Sequence, residues 1–455
     1  MALGRRDDER QQDLWTPTAS LPRSPGHPFY ERLNQLLAEG GFDRWVEERC
    51  RPFYADCGRP GIPPGVYFRM LLVGYFEGLD SQRGIAWRCA DSNSLKAFLG
   101  YPLTDATPEH SSLTNIRKRL PLAVHEEVFA FVLRMAQLKK LLKGQVAGVD
   151  ATLLEANAAL KSIVRKDTGE DYRAYLRRLA QEAGIENPSD EDLKKFDRKR
   201  KGKKLSNAEW ESSSDPDGRI MKMKDGTTHV SYKAEHAVDL ESEFLLAATV
   251  HHGDRGDPES LVDTLVAAQT NLIRAGSDVA LRDVATDSGY HKNETLAWCE
   301  AWGLRPYMAE KDPTQRRTWS DKPPEQERAF RGNRRRVRGR RGRRLQRQRS
   351  AIGERGFAHT CETGGGRRSW LRGLVNVAKR YVIQGAAHNL GVLMRKLTGV
   401  GTPRSLQGAS AAACAALSAL ISIMLPSIRR MNHGAGVAAL RNPPPRLRRH
   451  RLAAA

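Results

Sequence analysis

From about Pro28 to Lys143 the apolar residues recur at intervals of three and four, as in FYERLNQLLAEGGFDRWVEERC and PPGVYFRMLLVGYFEGL. That spacing keeps one stripe of a helix against a core, so the region is expected to be all-helical. The stretch SQRGIAWRCADSNSLKAFLGYP is followed by TPEHSSLTNIRKRL, where Thr107 is placed as an N-cap and Pro108 as the first helical residue. A short helix followed by a polar, basic one has the pattern of a helix-turn-helix, whose second helix would offer Arg117, Lys118 and Arg119 to DNA. The solvated face of an ordinary bundle has the same pattern.

After Lys143 the period changes. GQVAGVDATLLEA, HVSYKAEHAVDL, EFLLAATVHHG, SDVALRDVATDSGY and LRPYMAE read as strands, the fourth over Val279–Val284. PESLVDTLVAAQTNLIRAG and NETLAWCEAWG read as helices ended by Gly276 and Gly303. Three strands in antiparallel succession, then alternation with helices, predict an α/β domain with a mixed sheet flanked by helices. Residues from about 160 to 224 have too few apolar side chains for a core strand and read as an insertion. Asp225-Gly226 behind it is a hairpin-turn signal. The expected organisation is a flexible N-terminus (1–27), a helical domain with a candidate DNA-binding helix (28–143), an α/β domain (144–395) and an Ala/Arg/Pro-rich tail (396–455).

Charge adds a partner to this picture. Among 455 residues, 75 Lys and Arg against 53 Asp and Glu leave a net +22. Such a surplus attracts a polyanion, because each neutralised phosphate releases condensed counterions, so nucleic acid is the expected partner. The six cysteines are scattered without a CxxC pair, so neither a zinc site nor a disulfide framework is expected, and a reducing cytoplasm fits. MALGRRDDERQQDLW has no apolar signal-peptide core. The stretch 408–425 is dominated by Ala and Ser and is expected not to enter a membrane.

Between Arg331 and Arg349 there are eleven arginines and no acid. A charge run of this kind is ordinarily solvated and disordered. Its position just ahead of an acidic residue favours contact with a phosphate backbone through Arg334, Arg335, Arg336, Arg338, Arg340, Arg341, Arg343 and Arg344.

Two acids fall where chemistry is possible. Asp150 closes the first strand, and Asp287 follows the fourth and enters the turn Ser288-Gly289-Tyr290. Adjacent parallel strands bring side chains at their carboxyl ends to one edge. Two carboxylates there repel each other unless a cation lies between them. Mg²⁺ takes one or two carboxylates and leaves positions for substrate phosphates. Two such ions about 3.5–4 Å apart activate a water or 3′-hydroxyl and stabilise the departing oxygen. ERGFAHTCETGG supplies a third acid, Glu354 in helical context or Glu362 in a loop. An acid at a strand end is also a common turn former or helix cap, and pattern alone leaves both readings open. Lys233 and His236 in SYKAEHAVD are expected on a solvated strand face.

At these residues the sequence resembles the DDE transposases of bacterial insertion sequences, over about Pro28 to Arg395. VDATLLEANAALKSIVRKDTGEDY resembles the first catalytic-Asp segment, VATDSGYH the second, and QRQRSAIGERGFAHTCETGGGRRSWLRG the third-acid segment. The helices from Pro60 to Leu120 and NVAKRYVIQGAAHNLGVLMRKL resemble the flanking parts. The resemblance implies an RNase H-like domain with a mixed five-stranded sheet and a catalytic, metal-binding triad of Asp150, Asp287 and Glu354. It further implies Mg²⁺ with Mn²⁺ as substitute, double-stranded DNA of the element ends and target, a homodimer on DNA, no membrane, and a bacterial, nucleoid-associated location. Some related transposases carry a Tyr before the Glu and a Lys after it; here residues 347–353 hold no Tyr and position 361 is Cys. Two alternatives keep part of this reading: a metal nuclease without strand transfer, and a catalytically decayed DNA-binding protein.

Overall fold

The structure, a computed structural model, describes residues 17, 26–58, 61–201, 205–223, 226–312, 314 and 317–406. The expectations for the N-terminal 1–16, for Asp225-Gly226 as a turn, and for the stretch 408–425 lie wholly or partly outside the described residues. The apolar spacing of the first third folds as helices α1 (Pro28–Glu39), α2 (Phe42–Cys50), α3 (Pro64–Glu77), α4 (Gln82–Asp91), α5 (Asn93–Leu99), α6 (His110–Arg119) and α7 (Leu122–Leu138). Buried nearly all round, α3 is the centre of this bundle. Thr107 does not cap α6: that helix begins at His110 behind an extended Glu109. Pro108 pushes its predecessor towards extended backbone, and the chain stays extended one residue beyond the proline.

Strand β1 (Val146–Glu155) follows, and then an excursion holding β2 (Ile163–Arg165), α8 (Tyr172–Glu182), α9 (Asp190–Lys199), β3 (Trp210–Ser212) and β4 (Arg219–Lys222). The main chain of the fold resumes with β5 (Thr228–Asp239), β6 (Leu245–His252), α10 (Asp257–Arg274), β7 (Asp283–Thr286), α11 (Asn293–Ala301) and β8 (Arg305–Met308). Last come α12 (Pro324–Arg338), α13 (Arg340–Phe357) and α14 (Leu374–Thr398). The fourth predicted strand thus starts four residues later than its apolar run, at Asp283.

The sheet runs β4-β5-β1-β7-β8, with β6 also on β5. β1 is antiparallel to β5 and parallel to β7, and β7 is parallel to β8, so the sheet is mixed as expected. It holds one strand more than the expected five. β4, from the polar excursion, and β6 share one edge of β5 end to end, pairing with 228–231 and 232–238. Backbone pairing, not apolar content, recruits β4. A separate two-stranded sheet joins β2 to β3.

Helix α10 covers one face of β5 and β6. On the other face of the sheet lie α13 and α14. With both faces covered, β5 is buried from Val230 to Asp239, which overturns the expected solvated face: Lys233 is 4% exposed and His236 fully buried. The described chain to Leu393 is one compact unit. Of the second unit, 394–455, the described part is the end of α14 and a short 3₁₀ turn at Pro403–Leu406. Among the described residues no helix is long and apolar enough to cross a membrane.

Candidate active site

Gly148 on β1 lies opposite Ala285 on β7, and the two strands are parallel. Two residues further along each chain stand Asp150 and Asp287, so register sets both acids at one level of the sheet's carboxyl edge. Asp150 does not close its strand as expected: β1 runs on to Glu155, and Asp150 stands within it opposite His236 of β5, because pairing with β5 continues past the last pair with β7. Asp287 is the first residue past β7 and caps a one-turn 3₁₀ helix, Ser288–Tyr290, its Oδ1 accepting from the Gly289 N–H at 2.8 Å. The turn is crowded. A Cβ on Gly289 would stand 2.5 Å from Asp257 Oδ2 and 3.0 Å from Asp287 Oδ1. The first residue of α10, Asp257, therefore brings another carboxylate beside Asp287.

Helix α13 passes over the edge from the other side. Arg349 donates to Asp150 Oδ2 at 2.9 Å, and a Cβ on Gly353 would lie 3.5 Å from the same oxygen. That is ordinary van der Waals contact, so the helix backbone at 353 lies directly against the carboxylate. Glu354 is next in sequence but exposed, and it accepts from Ser350 Oγ at 2.9 Å, one turn back on its own helix. The structure thus brings Asp150 and Asp287 to one edge and leaves the Glu354 carboxylate on the flank of α13. Among the described residues no three His, Cys, Asp or Glu converge as a metal-holding group. The donors at the edge are hard carboxylate oxygens, which suit a divalent cation such as Mg²⁺ and supply two ligands in this arrangement.

Beneath the edge, on the α10 face, is a buried polar cluster that sequence reasoning missed. Glu235, opposite Ala151, accepts from Ser260 Oγ at 2.8 Å, Thr264 Oγ1 at 2.5 Å and Tyr290 Oη at 2.7 Å. Lys233 donates to Asp257 Oδ1 at 2.5 Å and Ser260 at 2.8 Å. Burial raises the Glu235 carboxyl above its ordinary range, opposed by the hydroxyl donors and Lys233. Burial and then the Glu235 charge hold the Tyr290 phenol well above the usual range. The cluster ties the start of α10 and the turn after Asp287 to β5. Its signal in the sequence was the alternation of Lys233 and Glu235 along a strand flanked by strands, where a polar residue needs buried partners. His236, one position on, faces α13 and α14. It stacks on Phe357 at 4.2 Å and meets Tyr381 Oη at 2.8 Å, and burial lowers its pKa to about 3.

A cleft of about 700 Å³ opens beside the end of β1, bordered by Thr152, Lys222, Lys233, Arg255, Asp257 and Arg367. Arg367 donates to Thr152 Oγ1 and the Leu153 carbonyl, both at 3.1 Å. Position 361, Cys in a segment where some related transposases carry a Lys, is 1% exposed in a π-helical turn at Ala358–Thr363.

The arginine run is not a disordered segment but the body of α12 and α13. Arg334 pairs with Glu310, Arg336 with Glu300 and Arg341 with Asp283. Arg335, Arg338, Arg340, Arg343 and Arg344 are exposed. On α6, Lys118 and Arg119 are exposed, while Arg117 is 9% exposed and packed inside.

A family described as Transposase domain (DUF772) matches residues 20–119, and one described as Transposase DDE domain matches residues 184–390. No curated protein and no solved structure matches the chain. The helix-flanked mixed sheet with two acids at its carboxyl edge is of the RNase H-like class that the DDE match implies. The chain belongs to the DDE-type transposases of insertion sequences. Its function is transposition; enzymes of this family act on DNA and generally use divalent metals. Asp287 and Glu354 fall inside the DDE match, whereas Asp150 lies between the two matched spans.

Proposed function

We propose that this transposase binds the double-stranded ends of its own element and carries out Mg²⁺-dependent cleavage and strand transfer, with Asp150, Asp287 and Glu354 as metal ligands. The level placement of Asp150 and Asp287 on adjacent parallel strands is the observation that supports it most. Bound divalent ions supply Lewis-acid polarisation of the scissile phosphate and of the attacking oxygen, with Mn²⁺ as substitute. Asp150 and Asp287 hold their carboxylates fixed because the backbone of the sheet fixes them. Arg349 neutralises Asp150 in the metal-free protein. To join the pair, the Glu354 carboxylate has to leave the Ser350 hydroxyl and turn from the flank of α13 towards the edge.

In this reading the helical region 28–143 and the region 144–395 act as DNA-binding and catalytic domains. The exposed Lys118, Arg119, Arg335, Arg338, Arg340, Arg343 and Arg344 contact phosphates. A homodimer pairs two element ends, in the nucleoid of a bacterial cytoplasm. The Ser350–Glu354 bond favours one other reading, a DNA-binding protein that has lost catalysis.

A cleavage and strand-transfer assay separates them, using DNA with the element's flanking ends, Mg²⁺ or Mn²⁺, and the variants Asp150→Ala and Asp287→Ala. Cutting by wild type, with both variants binding but not cutting, is the expected result. End binding by wild type without cutting in either metal would leave the binding-only reading.

A further inference from the structure

Arg117 is the one member of the α6 basic trio that is turned inward, and what surrounds it is unusual. It lines a cavity of about 130 Å³ between α3, α4 and α6 on one side and Trp370 and α14 on the other. Its Nε and one terminal nitrogen are buried without a hydrogen-bond partner. Two more cations crowd the same place. Lys379, 6% exposed, spends its Nζ on the Arg117 carbonyl at 3.0 Å. Arg380 lines the cavity and donates only to the carbonyls of Gly365 and Arg368.

The one carboxylate among the lining residues described is Asp80, whose Oδ2 accepts from Trp370 Nε1 at 2.7 Å. Among the lining residues described, two cations, Arg117 and Arg380, face one carboxylate, with Lys379 behind them, so positive charge is uncompensated in a largely apolar wall that includes Tyr67, Ile85 and Ile383. Burial of unpaired charge is costly unless a counter-charge is present. The strain registers on each group: burial lowers Arg380 to about 10, and burial followed by the Arg117 charge lowers Lys379.

We propose that this cavity binds a phosphate-class oxyanion, held by Arg117 and Arg380 with Gln82 and Gln384 as neutral donors. An oxyanion answers the surplus of positive charge, and its tetrahedral oxygens accept from a guanidinium fork. The volume is several times what one water needs, enough for a phosphoryl group with waters and far too small for a duplex segment. A free phosphate and a phosphate at a DNA terminus share this chemistry. The cavity is separate from the Asp150–Asp287 edge, so the inference stands or falls independently of the cleavage reading.

The full-length protein is titrated with inorganic phosphate against a chloride reference at constant ionic strength, by calorimetry and thermal melting. Wild type is expected to bind phosphate saturably and melt higher. Arg117→Gln should weaken binding at least tenfold, while Arg83→Gln, which removes the same charge from an exposed neighbouring position, leaves it unchanged. No saturable binding by wild type, or equal weakening in both variants, overturns the proposal. If Arg117→Gln does not fold, Arg380→Gln takes its place, and the wild-type titration alone still decides. Repeating the titration on protein loaded with a short 5′-phosphorylated duplex names the source: lost phosphate binding identifies the DNA terminus, and retained binding identifies free phosphate.

Discussion

The sheet edge and the α12–α13 pair place their charged side chains by different means. At the edge, backbone register does the work: the Gly148–Ala285 pairing dictates where Asp150 and Asp287 stand, whatever their side chains prefer. On the helices the arginines are sorted by partner. Arg334, Arg336, Arg341 and Arg349 reach carboxylates on or next to the sheet, while Arg335, Arg338, Arg340, Arg343 and Arg344 face outward. One uninterrupted run of charge therefore contains two populations, one that docks helices and one that is available to a polyanion. The acids are rigid because the sheet is; the outward arginines keep their rotamer freedom until they bind.

That contrast predicts unequal effects of substitution. Asp150→Ala and Asp287→Ala should each lower end cleavage on the order of 10³-fold or more, about 4 kcal/mol of barrier, while DNA binding changes little. Single-turnover cleavage beside a gel-shift measurement checks this. Cleavage retained within tenfold would show that register does not place the catalytic acids.

The packing behind the edge has a pH signature. Burial lowers His125 to about 4, His236 to about 3 and His251 to about 4. These imidazoles stay neutral in the folded chain where the unfolded chain has bound protons. Their contribution to stability is complete above about pH 6.5 and is lost as pH falls from there towards 4 and 3. Each adds a slope of about 1.4 kcal/mol per pH unit within that window. Denaturant unfolding of His236→Phe at pH 5 and 6 should show the slope reduced by about that amount. An unchanged slope would mean that His236 is not the buried neutral pillar between β5 and helices α13 and α14.

A smaller effect tests the clamp on Asp287. Tyr290→Phe removes one hydroxyl from the buried Glu235 and should cost about 1–2 kcal/mol of stability. It should also raise the metal concentration needed for half-maximal cleavage, because the turn that carries Asp287 is loosened. A stability loss with unchanged metal dependence would reduce Tyr290 to packing.

Much of this was legible in the sequence, for reasons that differ by element. β1, β5 and β6 announce themselves as apolar-rich runs of eight or more residues, and α3 and α10 by long apolar stripes. Asp287 was legible because it follows a strand and enters a turn, and Asp150 because small residues flank it, although its strand runs on to Glu155. β4 was not, since Arg219–Lys222 joins the sheet through backbone pairing and its side chains say nothing of it. The burial of Lys233, Glu235 and Arg117 was equally hidden: their polarity implies solvent, and only tertiary partners reverse that. The order within the arginine run was hidden too, because its ion-pair partners Glu300, Glu310 and Asp283 come from earlier elements.

The weakest expected effect is the sharpest test of the two populations. Arg343→Ala and Arg344→Ala each remove one outward charge and should reduce the slope of log affinity against log salt by about 1, with unfolding stability nearly unchanged. Arg336→Ala and Arg341→Ala remove charges already committed to Glu300 and Asp283. They should leave the salt slope close to wild type and lower stability by about 1–2 kcal/mol. Binding isotherms for all four variants at a series of salt concentrations, beside denaturant unfolding, give both quantities. If the four fall on one line, losing salt slope and stability together, the division of the run into docking and outward arginines is wrong. If they separate into two pairs, the ion pairs seen in the structure are what divides a uniform charge run into two functions.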